Sequence, residues 1–417
     1  MITVHYGKRI IELDIPEENL CFNLLRNEFP LPPGEGEEIQ RAIQNPVESK
    51  RLKDLVSKGA SVVILVDDRT RMTPQKLILP YVLEELRAAG VKNSQIKLII
   101  AQGTHRDMTK EEILERFGKE IVDQVEIRNH DCYHNLADMG LTRRGTRILV
   151  NKDVIDADIR IAIGGVLPHH PAGWSGGAKM LLPGVAGKET VNAMHLLGAT
   201  ESQLGKSMTP CREEMEDFAG EVGLHFIVNV ILNERGDLVR AVSGHFIEAH
   251  REIVAWGMKV NGVVFPEQAD ITISSSFPFD YDLTQADKGL FSAALATKPG
   301  GEVILLSPCE EGIAPTHGED MSRLARYDDA TLWKMLEDDA IRNRFAASEC
   351  MYLNYIKRKF KTTLTMDPML ANIMGFYSLQ AGDVNRYINR RIALDKRLKI
   401  GIINNSGEIL PIPAADI

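Results

Sequence analysis

IAIGGVLPHHPAGWSGGAKMLLPGVAGKETVNAMH, from Ile161 to His195, passes from strand to loop to helix. Its start alternates β-branched and small residues, the pattern of a buried strand, and its end has helical periodicity around His195. The loop between them carries His169 and His170, then Gly173, Gly176, Gly177 and Gly184 around a single lysine, Lys179. Glycines at such spacing let backbone N–H groups approach a ligand closely. A lysine among them is either a phosphate clamp or a reactive amine. The order is not that of a P-loop, because Met180 follows Lys179 where Ser or Thr is required.

The same strand, polar loop and helix recur upstream. SVVILV (Ser61 to Val66) runs into DDRTRMTP and a helix over 75–89, and IKLIIA (Ile96 to Ala101) runs into QGTHRDMT and a helix beginning near Lys110. Strands alternating with helices predict a parallel sheet of the α/β class. The chain opens with a hairpin around Gly7-Lys8, and a second hairpin spans His225 to His245. After NGVVFPEQAD a new series begins: the strand ITISSS, the helix DLTQADKGLFSAALAT and the strand GEVILLS. The stretch from Ser322 to Lys399 reads as mainly helical, and KIGIINNSGEIL returns to strand. The expected architecture is two α/β domains with mainly parallel sheets, over 1–268 and 269–417, with the last strand free to rejoin the first domain. The active site is expected in the cleft between them.

The 417 residues are 44% hydrophobic and 26% charged, ordinary for a globular protein of more than one domain. A net charge of −9 argues against nucleic acid or an anionic membrane surface as the main partner, and leaves room for a small anionic substrate. Five scattered cysteines without a CxxC pair suit reduced thiols, and no apolar run is long enough to span a bilayer. A cytoplasmic location is expected.

In an open parallel sheet, ligands lie beyond the carboxyl ends of the strands. Three such ends here deliver charge or imidazole: Asp67, Asp68, Arg69 and Arg71; His105 and Arg106; His169 and His170. Capping and turn formation are the blander roles for the aspartates, and structural hydrogen bonding for a lone histidine. His225, His245 and His250 fall outside the pattern and are assigned that structural role.

GTHR at Gly103 to Arg106, DDRTR at Asp67 to Arg71, and HHPAGWSGGAKMLLPG followed by His195 together resemble the lactate racemase family. The likeness covers most of the chain and is densest from Asp67 to His195 and around Gln285 to Lys288. It implies a two-domain α/β enzyme that uses a nickel-pincer nucleotide, a pyridinium mononucleotide whose two sulfur-bearing arms and ring carbon hold nickel. Residue by residue, it implies that Lys179 carries the cofactor covalently and His195 ligates nickel. It makes His105 and His169 the acid/base pair, and Asp68, Ser175, Gly176 and Gly177 the cofactor contacts. Arg71, Gln285 and Lys288 become the substrate contacts. Maturation enzymes are implied as partners. Met72 stands where many relatives have proline, and His170 beside His169 offers a second candidate base.

The residue types suit that chemistry. The C–H of a 2-hydroxy acid is too weak an acid to deprotonate readily, whereas transient oxidation to the keto acid lets hydride return to either face. That route needs one imidazole per enantiomer, a hydride acceptor that no side chain provides, and a cationic clamp for the carboxylate. Two rivals are a zinc hydrolase or lyase built on His105, His169 and His195, and a non-catalytic nucleotide-binding module.

Overall fold

The computed structural model describes residues 1–199 and 202–416. Val62–Val66 is buried at all five positions. Its side chains alternate between two cores: Val62, Ile64 and Val66 join Ile78, Leu79 and Val82 on one face, and Val63 and Leu65 join Phe218 and Ile253 on the other. A strand covered on both faces reads as a continuous apolar run, which is why this one shows no polar alternation.

Six strands form the first sheet, in the order Leu238–Gly244, Phe226–Leu232, Ile159–Gly165, Val62–Val66, Ile96–Ile100 and Glu126–Asn129. All pairings are parallel except the hairpin at the Leu238–Gly244 edge. The chain builds outward from Val62–Val66 on one side, then returns to lay Ile159–Gly165 on the other. The reversal opens a crevice at the carboxyl ends of these two strands, where ligands of open α/β sheets bind.

The second sheet has the order Tyr377–Ser378, Lys361–Leu364, Thr297–Leu306, Ala269–Ser275, Ile400–Ile403 and Leu20–Leu24, parallel throughout. The helices Leu283–Ala296 and Arg344–Lys359 pack on one face. Val384–Leu394 and the opening hairpin, through Val4, Tyr6 and Leu13, cover the other. One early segment lies across the expected division at 268/269. Leu20–Leu24 belongs to the second sheet, beside Ile400–Ile403, and carries the first hairpin with it. Leu20–Leu24 is not among the strands expected from the sequence, and its partner lies nearly four hundred residues away. Leu410–Pro413 pairs parallel with Gly262–Phe265, a strand within the segment expected to mark the domain crossing. Among the described residues no helix is long and apolar enough to cross a membrane.

Candidate active site

The carboxyl ends of the first sheet and the amino-terminal turns of two helices on the second enclose one cleft. The space between its walls is about 1240 Å³, open solvent included. Asp68, Arg71, His105, His169, Ser175, Gly176, Lys179, His195, Gln285 and Lys288 all line it. Gly177 does not. Its N–H donates to Asn229 Oδ1 at 3.0 Å, and at φ +59° a Cβ would lie 2.8 Å from His250 Cδ2. Gly177 thus shapes the loop from behind the cleft.

The two aspartates after Val66 have separate tasks. Asp67 is tied to Gln75 Nε2 at 3.0 Å, to Thr73 Oγ1 and to Arg116, and so anchors the loop to the helices behind it. Asp68 faces the cleft. Its Oδ2 lies 2.6 Å from His105 Nδ1, and its Oδ1 accepts from Thr70 N at 3.0 Å and Thr70 Oγ1 at 2.5 Å. Burial opposes ionisation of Asp68, but His105, Arg71 and Thr70 outweigh it and hold the carboxyl well below the usual range. A carboxylate only accepts, so His105 Nδ1 carries the proton and Nε2 is left as a base.

His169 rests in the other tautomer. The Ala172 N–H donates to its Nδ1 at 3.3 Å, which places the proton of the neutral ring on Nε2. Burial first, then Lys179, His170 and Arg71, drive its pKa well below the ordinary value. His170 is enclosed. Its ring stacks on Phe291 at 4.0 Å and meets Tyr352 edge-on at 4.8 Å, and both its nitrogens are buried without a hydrogen bond.

Lys179 sits on a short 3₁₀ turn, Gly177–Met180, with no hydrogen bond or ion pair to its amine among the described residues. Burial, with Arg71, Lys288 and Arg212 close by, pushes its pKa well below that of an ordinary lysine. The same surroundings favour the neutral, nucleophilic form of the amine over the charged one. Its loop is held from below by residues the sequence did not single out as functional. Arg212 donates to Gly176 O at 3.2 Å and to Trp174 O, and His250 Nε2 donates to Ser175 O at 2.8 Å. The structural role assigned to His250 is the one it has. The Ser175 hydroxyl also serves the loop, donating to Gly165 O and accepting from Leu167 N, both at 2.9 Å.

His195 projects from the helix Lys188–Leu197. Its Nδ1 donates to Val191 O at 3.0 Å, and burial drives its pKa down to about 3, so the ring is neutral with Nε2 free to bind a metal. From the second sheet, Lys288 Nζ donates to Gln285 Oε1 and lies 4.4 Å from the Phe279 ring centroid. Burial and Arg71 lower its pKa to about 7.

Sequence reasoning missed His317, on the loop that follows the Thr297–Leu306 strand. Its Nδ1 accepts from Asn343 at 3.1 Å and its Nε2 donates to Thr104 Oγ1 at 3.2 Å, joining the two walls. Arg69 and Glu311 add an ion pair at 2.8 Å across the mouth. The strand-end rule applied to the second sheet would have pointed to His317.

The described residues bring together no three His, Cys, Asp or Glu side chains that could hold a metal ion. The zinc reading thereby loses its ligand set of His105, His169 and His195.

Residues 6–206 match the family model described as the lactate racemase N-terminal domain. A lactate racemase of Thermoanaerobacterium thermosaccharolyticum is 31% identical over 322 residues, 75% of each chain. One of Lactiplantibacillus plantarum is 29% identical over 340 residues, 79% of each chain. The solved lactate racemase apoprotein from Thermoanaerobacterium thermosaccharolyticum superposes with a TM-score of 0.87 at 27% identity, over 99% of both chains. A Thermotoga maritima protein shares the fold at a TM-score of 0.72 and 18% identity, over 94% of this chain and all of that one.

Proposed function

The chain belongs to the lactate racemase family, and we propose that it inverts C2 of a 2-hydroxy acid with the aid of a nickel-pincer nucleotide. The observation that carries this reading is the convergence on one cleft of His105, His169, Lys179 and His195 from separate elements. The residues fit the cofactor. Lys179 offers an unpartnered amine for covalent attachment, and His195 offers one neutral imidazole nitrogen. With no three protein donors assembled, the remaining metal ligands have to come from the group itself. When bound, the nucleotide supplies the hydride acceptor that side chains lack.

The protein's own residues do the rest. Arg71 and Lys288 take the substrate carboxylate, the guanidinium as a fork and the lysine as a point charge. His105, oriented by Asp68, accepts the hydroxyl proton of one enantiomer at Nε2. His169 does so for the other once its ring leaves the Ala172 N–H and shifts its proton to Nδ1, and each returns a proton to the alkoxide formed on the opposite face. The amine of Lys179 calls for maturation enzymes as partners, and five free cysteines accord with a cytoplasmic setting. A non-catalytic nucleotide-binding role leaves the Asp68–His105 pair without a purpose.

The test is to purify the protein from a host with the maturation system and measure nickel, intact mass and enantiomer interconversion. The expected result is nickel, added mass on the peptide containing Lys179, and racemisation, with no adduct in Lys179→Ala. Loaded protein that converts no 2-hydroxy acid, or full adduct in the variant, overturns the reading.

A further inference from the structure

One polar group on the wall of the cleft has no part in that chemistry. Glu349, on the helix Arg344–Lys359, is 5% exposed and lines the cleft. Among the described residues its carboxyl makes no hydrogen bond or ion pair. Its place on the helix is fixed by its neighbours. One turn earlier, Phe345 meets the His195 ring edge-on at 4.8 Å. One turn later, the Tyr352 hydroxyl donates to His195 O at 2.9 Å. Glu349 therefore lies on the face that looks at the reaction centre, on the same side as Lys288. Burial, with Asp287 and Asp282 adding like charge against the opposing cation of Lys288, raises its pKa well above that of an ordinary glutamate.

A buried carboxyl without a partner is costly, and native chains keep one where something else satisfies it. We infer that Glu349 is a specificity-determining residue that receives a hydroxyl on the substrate chain beyond C2, so that the preferred substrate is a polyhydroxylated 2-hydroxy acid. This rests on the 2-hydroxy acid reading and narrows it. A carboxyl accepts from a hydroxyl in either protonation state, and a hydroxyl can also accept, so the two satisfy each other. A methyl or phenyl substituent leaves Glu349 desolvated and unpaired. A second carboxylate in this cleft meets the acidic side chains of Asp282 and Glu349 while Arg71 and Lys288 are already engaged by the first. Thr284, Gln285 and Thr316 add further polar groups to the lining of the same cleft.

The experiment is a substrate panel on the nickel-loaded enzyme: lactate, malate, phenyllactate and a trihydroxybutanoate, with stereoisomers resolved by chiral chromatography. The trihydroxy acid is expected to have the highest kcat/KM. Glu349→Leu should lower the ratio of its kcat/KM to that of lactate by roughly 10²-fold or more, because a site built to bond a hydroxyl discriminates strongly. Glu349→Gln, which keeps a donor and an acceptor, should restore most of that ratio; a purely structural role would not give this rescue. A wild-type preference for lactate, malate or phenyllactate, or a ratio unmoved by Glu349→Leu, overturns the inference and leaves the racemase reading standing. If neither variant folds, the wild-type panel decides alone. No turnover of any panel member overturns the racemase reading, and the inference falls with it.

Discussion

Asp68 Oδ2 lies 2.6 Å from His105 Nδ1, a contact between the ends of two adjacent parallel strands. It fixes the tautomer of a ring that otherwise has two. Asp68→Asn keeps the shape, but the amide can present a donor to Nδ1 and push the proton to Nε2, where a base is needed. A kcat loss of about 10²–10⁴-fold with little change in KM is expected, by analogy with the aspartate of a catalytic triad. Steady-state kinetics on loaded enzyme check this; a loss confined to KM speaks for substrate binding instead.

The acid/base pair makes the most exposed prediction. If His105 and His169 flank the substrate on opposite faces, each is the base for one enantiomer, and removing either abolishes racemisation in both directions. Each single variant should still form keto acid from the enantiomer whose base survives. His105→Ala and His169→Ala are therefore to be mixed with each enantiomer and the keto acid trapped. Opposite preferences support the arrangement. The same preference in both variants shows that the rings do not face each other. The enclosure of His170 against Phe291 predicts that His170→Ala will not mimic either variant in this assay.

His195→Ala should lose nickel while the organic part of the cofactor stays on Lys179, since the two residues hold different parts of it. Metal analysis and peptide mass together read this out. Undiminished nickel moves the metal site elsewhere.

His317 gives a stability prediction with a definite sign. Burial lowers its pKa to about 4 from an ordinary 6.5, so between these values the unfolded chain binds more protons than the folded one. The stability tied to the neutral ring is fully present above pH 6.5 and is lost as pH falls toward 4. The shift corresponds to a change on the order of 3 kcal/mol over that window. His317→Gln cannot titrate. The Tm difference between wild type and this variant should therefore move against wild type across that range, and a difference independent of pH excludes the neutral, buried ring.

The sequence by itself determined the α/β class, the loops at three strand ends and the lysine among glycines, because these depend on local periodicity and backbone freedom. Val62–Val66 is legible as a buried strand because burial on both faces demands an unbroken apolar run, and Ile96–Ile100 departs from one only at the half-buried Lys97. The division of labour between Asp67 and Asp68 was not legible, since adjacent residues of one type are separated only by which way each side chain points. Only the tertiary structure turned Asp67 to Arg116 and Asp68 to His105. The same holds for Leu20–Leu24, which the sequence leaves unassigned and only long-range pairing makes a strand of the second sheet. Arg212, His317 and Glu349 reach the site through packing between distant segments. No spacing along the chain records such contacts, because burial and partner choice are settled when the two sheets close on each other.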